Sequence, residues 1–484
     1  MAFASITLLL MTSITLTFAN TEAVQNNTKY VTYQERMQVV DNAISLAPNS
    51  GPASDSITNR PITHFIASES PASSPSIALS PTPVPFHSKL DGSNNVFDVR
   101  SNGAVGDGKT DDTKAFKAAW DLACNKTGQA KILVPKGSFL LNPTEFQGPC
   151  QNNLIFQVDG NIIAQEDPKS WPSGIDSWLV FNRVDGLTVQ GGGFLDGKGE
   201  NWWSCKSCNR PVALRFRSCK SLKLLGSGGS KLSVKNSPYF HVVIDQECQN
   251  VTVDSISIVS PSTSPNTDGI HIASKDIFIR NSNISNGDDC ISLANGSENI
   301  QIDNLDCRDG HGISIGSLGK DNSEETVKNI SVTNCYITNS QNGVRIKTWA
   351  SGSGLVSNVK FDHIDMNEVS NPIIIDQFYC PHNNCNNNNG NSELLISDVT
   401  YSNIKGTYNT GTPAVYLNCS KKMPCLNITI VDVQLEGKTT VSSVCENASG
   451  CLGEKIQPQV TGLGKGSSQF LDYLSKKGVI CTNT

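Results

Sequence analysis

A short unit recurs through the middle of the chain, and its period constrains the fold more than any other feature. A polar residue, mostly Asn, opens an alternating apolar run in Asn250-Val251-Thr252-Val253, Lys275-Asp276-Ile277-Phe278-Ile279, Asn299-Ile300-Gln301-Ile302, Asn329-Ile330-Ser331-Val332 and Asn358-Val359-Lys360-Phe361. A second set of alternating runs begins at Asp268, Asp289, His311, Asn342 and Asn371, with starts 21, 22, 31 and 29 residues apart. Period-two alternation reads as strands. Repeats of this length with several strands and no helix between them predict an all-β fold, a right-handed parallel β-helix. Each coil stacks its apolar residues on the next, so the core grows along one axis. About 390 residues from Val96 onward then need no division into globular domains.

Composition agrees. Hydrophobic residues make up 37% and charged residues only 17%, with 39 glycines among 484 residues. Low charge with abundant Gly, Asn and β-branched residues favours strands and turns over helical bundles. The formal net charge of −6 supplies no global positive field for a polyanion, which argues against a nucleic-acid partner.

Sixteen cysteines without zinc-type spacing point to structural disulfides and an oxidising compartment. Cys205–Cys208 is the single C-x-x-C, with no second pair or His cluster beside it. Residues 1–23 carry an apolar run from Ile6 to Met11 and small residues near Ala19 and Ala23, as a secretory signal peptide does. No later stretch has the roughly 18 uninterrupted apolar residues of a membrane span. Nine N-x-S/T sequons suit a secreted glycoprotein. Residues 24–95 form a separate segment. Residues 45–95 hold eight prolines and twelve serines, so an extended, unstructured extension is expected there. The folded domain is expected over 96–484, opening with a short helix from Asp111 to Cys124. Ala115, Ala118, Ala119 and Leu122 would share its buried face.

Placing the second strands in register aligns Asp268, Asp289 and His311 on three successive coils, about 4.8 Å apart. Asp288 lies one residue earlier and should project differently. Three carboxylates in one patch repel each other unless one binds a proton or a ligand intervenes. A solvated Asp-rich turn would explain one such motif, but not three aligned ones. The fourth coil adds Arg345 and Lys347, two residues apart and so on one strand face. A guanidinium fork and a point charge side by side suit an acidic group, so an anionic substrate spanning the site is expected.

Asn266-Thr267-Asp268-Gly269, Gly287-Asp288-Asp289-Cys290, Gly310-His311-Gly312 and Arg345-Ile346-Lys347 together resemble the four signature motifs of the polygalacturonases, glycoside hydrolases that degrade pectin. The order is the family's, the likeness runs from about Val96 to Cys481, and the plant enzymes are the nearest match. The Pro/Ser-rich extension departs from the pattern. The resemblance implies hydrolysis of α-1,4-galacturonan by single displacement with inversion. Asp288 would then be the general acid, Asp268 and Asp289 the pair that activates water, and His311 a group that tunes the acid or contacts substrate. It further implies that Arg345, Lys347 and Tyr379 bind the galacturonate, with Asn266 shaping the turn at the cleft. It implies a Cys290–Cys307 bridge behind the carboxylates, and makes Cys419–Cys425 and Cys445–Cys451 plausible short bridges. No cofactor or metal is implied, and the expected partner is pectin, met by a monomer in the extracellular space or cell wall.

Three readings compete. A pectate lyase would use the carboxylates as a calcium cage. A hydrolase of a related pectic backbone such as rhamnogalacturonan would share the fold. A pectin-binding wall protein would have the site without the catalysis.

Overall fold

The computed structural model describes residues 95–151, 153–381, 385, 392–409, 411–437 and 441–483. The signal peptide expected at 1–23 and the extension expected at 24–95 fall outside the described residues, Asn95 apart.

Among the described residues, parallel strands wind into a β-helix with two sheets, one of 21 strands and one of 11. The narrow sheet carries the site. Its strands are β1 (Thr144–Gln147), β2 (Ser177–Asn182), β3 (Val212–Arg217), β4 (Val242–Asp245), β5 (Ile270–Ile272), β6 (Ile291–Leu293), β7 (Ile313–Leu318), β8 (Asn342–Thr348), β9 (Asn371–Asp376), β10 (Val415–Asn418) and β11 (Val444–Glu446). Each is one rung of the coil.

The wide sheet bends around two faces because single residues turn its long strands. Lys275–Ser285 bends at Asn281 (φ 52°), Glu298–Arg308 at Asn304 (φ 53°) and Glu324–Thr338 at Asn334 (φ 54°). Asn tolerates this left-handed backbone better than other side-chain-bearing residues do. The Asn that opens each repeat does the same at Asn299, Asn329 and Asn358. Their amides also bond rung to rung, Asn358 to Asn329 and Asn329 to Asn299 at 2.9 Å. The recurring Asn is thus a corner residue and a ladder at once.

Alternation sorts the narrow sheet. Ile244, Ile272, Leu293, Ile315, Ile346, Ile375 and Leu417 follow one another in register. All are buried in the core, each contributing roughly 1.5–3 kcal/mol by burial. The intervening residues Val243, His271, Ser292, Ser314, Arg345, Ile374 and Tyr416 form the outward column. Polar residues concentrate in the middle of that column.

The helix spans Thr113–Cys124, starting two residues later than expected. Its buried face is Ala115, Phe116, Ala119, Trp120, Ala123 and Cys124, whereas Ala118 is exposed and Leu122 is 54% exposed. The expected face is therefore rotated. Phe116 and Trp120 pack on Phe139 and Phe146 with ring centroids 5.6 and 5.0 Å apart, and burying two large rings outweighs burying one Leu. At the other end, Cys451–Cys481 ties the helix Ser468–Lys476 to the last coils. Cys451 is therefore not the partner of Cys445, which is a free thiol. The Cys290–Cys307 and Cys419–Cys425 bridges form as expected, and Cys205–Cys208 closes a disulfide.

Candidate active site

The site sits where the turns enter β5, β6 and β7. Those turns are tightly tied. Asn286, fully buried, donates to the carbonyls of Thr267 (2.8 Å) and Asp289 (2.9 Å), and the Gly287 N–H donates to Thr267 Oγ1 at 3.2 Å. The motif glycines are steric necessities. A Cβ on Gly287 would lie 2.0 Å from the Ser264 carbonyl oxygen, and one on Gly310 2.0 Å from that of Asp288.

Asp268 and Asp289 do occupy equivalent positions on neighbouring rungs, since Ile270 pairs with Ile291 and the Gly269 N–H donates to the Asp289 carbonyl at 2.9 Å. Their surroundings differ. Asp289 is 1% exposed and accepts from Ser314 Oγ (2.7 Å), Arg345 (2.8 Å) and Lys347 Nζ (2.8 Å). Burial pushes its carboxyl up, but the Lys347 and Arg345 charges and the hydrogen bonds outweigh burial and hold it down at about 2. Asp268 has no such cation on it. Burial, then the Asp288 and Asp289 charges, push its carboxyl well above the usual range, against weaker opposition from Ser292 and Lys347. The repulsion expected among these carboxylates is resolved on one side by cations and on the other by proton affinity.

Asp288 pairs with His311 and stays close to both other carboxylates, its charge acting on Asp268 ahead of that of Asp289. Its Oδ1 lies 3.0 Å from His311 Nδ1 and accepts the Asp289 N–H at 2.8 Å. One oxygen of Asp288, one of Asp289 and a ring nitrogen of His311 all lie within 4.8 Å of each other. This donor set suits calcium poorly, because calcium takes six to eight oxygen ligands. Both Asp289 oxygens are already bonded to cations.

The structure brings Asp268, Asp288, Asp289, His311, Arg345 and Lys347 into one cluster. Tyr379 adjoins it, with Lys347 Nζ 5.4 Å from its ring centroid and Trp349 edge-on at 5.8 Å. Asn266 stands on the rim in a left-handed conformation (φ 54°) and accepts from Arg210 at 2.6 Å. Cys290, directly after Asp289, anchors the turn through its disulfide to Cys307.

Several residues were not foreseen. Ser314 links Asp289 to Arg345, whose Nε donates to its hydroxyl at 3.0 Å. His271 Nδ1 lies 2.9 Å from Ser292 Oγ, and burial holds its imidazole neutral, with the pKa lowered to about 4. Both serines follow from the alternation, one position along from apolar residues that had been read as core. Arg210 and Tyr239 had no signal, because each lies on an earlier coil than the motifs.

Residues 124–456 match the family model described as Glycosyl hydrolases family 28. A probable polygalacturonase of Arabidopsis thaliana is 42% identical over 382 residues, 76% of this chain and 84% of that protein. A polygalacturonase of Cryptomeria japonica is 41% identical over 385 residues (76% and 73%), and an exopolygalacturonase of Platanus acerifolia 38% over 381 (76% and 98%). Among solved structures, the endo-xylogalacturonan hydrolase from Aspergillus tubingensis superposes with a TM-score of 0.65 at 27% identity, covering 77% of this chain and all of that one.

Proposed function

The chain belongs to glycosyl hydrolase family 28, and we propose that it is a secreted polygalacturonase that cleaves α-1,4-galacturonosyl linkages of pectin by inverting single displacement in the cell wall. The division of the carboxylates carries this reading. Asp289 is held ionised between two cations, while Asp268 on the adjacent rung has a raised proton affinity. Asp288 is paired with His311.

Single displacement needs a carboxyl that protonates the leaving oxygen and a carboxylate that takes a proton from water on the opposite face of the sugar. Asp288 supplies the first proton to the glycosidic oxygen as the bond from that oxygen to the anomeric carbon breaks. A water between Asp268 and Asp289 attacks the anomeric carbon and gives its proton to Asp268 in its ionised form, which its high proton affinity makes a strong base. The ionised Asp289 orients that water and offsets the charge developing on the sugar. Asp288 ends ionised and Asp268 protonated, and solvent restores both. Oxygens of Asp288 and Asp289 lie within 4.8 Å, below the roughly 6.5–9.5 Å of an inverting acid–base pair, and the role of base therefore falls, on this reading, to Asp268 and not to Asp289.

Arg345 and Lys347 face the same cluster and supply the positive field that a galacturonate carboxylate requires. The six disulfides suit an extracellular enzyme. The test is reducing-end release from polygalacturonic acid in excess EDTA, with Asp288→Asn as control and proton NMR of the first product. Hydrolysis without unsaturated product and with the β-anomer appearing first is expected. Initial α-anomer would overturn the inverting assignment, and activity lost to EDTA would overturn the metal-free one.

A further inference from the structure

We infer that Arg210, seated on Tyr239, is a second carboxylate-recognition site for the uronate chain, on the side of the catalytic carboxylates opposite Arg345 and Lys347. The inference rests on the polygalacturonase reading above. Arg210 lies two residues before β3 and Tyr239 three residues before β4. Continuing the strand registers places Arg210 in line with Asn266, and Tyr239 in line with Thr267 and Asp288. Both residues therefore occupy the turn edge that carries the motifs, on earlier rungs.

Arg210 crosses a rung to reach the site. Its guanidinium donates to Asn266 Oδ1 at 2.6 Å and to the Pro265 carbonyl, and it lies 5.4 Å from the centre of the Tyr239 ring. Tyr239 stacks on Phe240 at 4.0 Å, and Phe240 on His271 at 4.6 Å, so the cation rests on a rigid aromatic shelf. The shelf adjoins the reacting groups. The Tyr239 hydroxyl is pushed up by burial and by the Asp268 and Asp288 charges, against the opposing pull of Arg210.

Charge pairing separates Arg210 from most described arginines. Arg100, bonded to the Lys136 carbonyl, and Arg183, just after β2, also lack an ion pair among the described residues, and the place beside the motif turns is what sets Arg210 apart. Arg215, Arg217, Arg280, Arg308 and Arg345 each sit on a carboxylate. Arg210 forms no ion pair among the described residues, and its two protein bonds use only two of five N–H donors. A half-buried guanidinium with spare donors, braced on an aromatic ring at a cleft rim, matches a carboxylate in geometry and charge. Lys347 and Arg345 lie two rungs beyond Asp289. A bound polyuronate would thus meet cations on both sides of the bond being cleaved.

The experiment compares wild type, Arg210→Gln and Arg210→Lys on de-esterified and partly methyl-esterified oligogalacturonides, with KM and kcat separated. On the de-esterified substrate, Arg210→Gln should raise KM about tenfold with a much smaller fall in kcat, and should lose part of the wild-type preference for free carboxylates. Arg210→Lys should fall between, since it keeps charge without the fork. If Arg210→Gln fails to fold, the Lys variant decides: raised KM supports the site and wild-type KM overturns it. A fall in kcat that is equal on both substrates, with KM unchanged, would mean that Arg210 only braces the Asn266 turn. That result, or no change at all, sinks the inference. Absence of wild-type hydrolysis would instead sink the functional reading on which it rests.

Discussion

Asp288 Oδ1 and His311 Nδ1 are 3.0 Å apart although the coil register aligns His311 with Asp289. The His311 N–H donates to the Asp288 carbonyl at 2.8 Å, and the ring turns to that residue's carboxyl as well. Asp289, the in-register neighbour, is already taken by Ser314, Arg345 and Lys347. Occupation of one carboxylate by cations thus leaves the other to the histidine.

Asp288→Asn keeps the side chain's size but donates no proton, so kcat should fall by about 10²–10⁴ with KM nearly unchanged. His311→Ala removes the contact at Asp288 Oδ1 and should lower kcat by a smaller factor. Steady-state kinetics on folded variants checks both, and wild-type turnover in Asp288→Asn would remove it as the acid.

Asp268→Asn should abolish activity yet stabilise the fold near neutral pH. The folded-state pKa of Asp268 is raised, so its favourable protonated form is fully present below the unfolded value near 4 and is lost as pH rises. Asparagine has no charge to bury, so the melting temperature should exceed wild type by about 2 °C or more at pH 7. The gap should shrink toward pH 4. A variant less stable than wild type at pH 7 contradicts the electrostatic account.

Lys347→Met leaves Asp289 buried with one cation fewer and should cost about 3 kcal/mol at pH 7. The Asp289 pKa is depressed to about 2, so its contribution is complete above the unfolded value near 4 and disappears as pH falls toward 2. Denaturant unfolding at pH 7 and pH 3 should therefore show a smaller difference from wild type at the lower pH. Equal differences would mean that packing, not charge, is lost.

Arg345→Lys should raise KM, as expected for a lost carboxylate fork, by roughly 1–3 kcal/mol in binding. Because Arg345 also donates to Ser314 and Asp289, kcat should fall as well. An effect on KM alone would show that the bond to Asp289 has no part in turnover.

Replacing Cys290 and Cys307 together by Ala removes a bridge between residues 17 apart and should cost about 3 kcal/mol. Activity should decline with it, since Cys290 follows Asp289 directly. A melting temperature equal to wild type would mean that the bridge is dispensable.

Much of the fold was legible because the β-helix is nearly one-dimensional. Strand alternation and the spacing of the second runs are properties of the chain alone, and together they set which residues stack. Asp268 and Asp289 could therefore be paired, and Asp288 set apart, from register alone. The Asn corners were visible as a recurring residue, although their left-handed backbone and amide ladder were not.

What register does not contain is how long side chains cross rungs and how neighbours share charge. Arg345 and Lys347 lie 56 and 58 residues beyond Asp289, and only the coil brings their side chains back over β7 onto its carboxylate. The sequence presented a pair of cations for an acidic ligand; the tertiary structure decided that an aspartate of the chain itself also engages them. Likewise Cys451 joined Cys481 rather than nearby Cys445, since bridging depends on where Cα atoms come together and not on separation along the chain. The sequence by itself determined the repeat, the register and the residue types at the site, because periodic burial is encoded locally. Only the tertiary structure decided which carboxyl is held charged and which keeps its affinity for a proton, because burial and the reach of Arg345 and Lys347 exist only once the rungs are stacked.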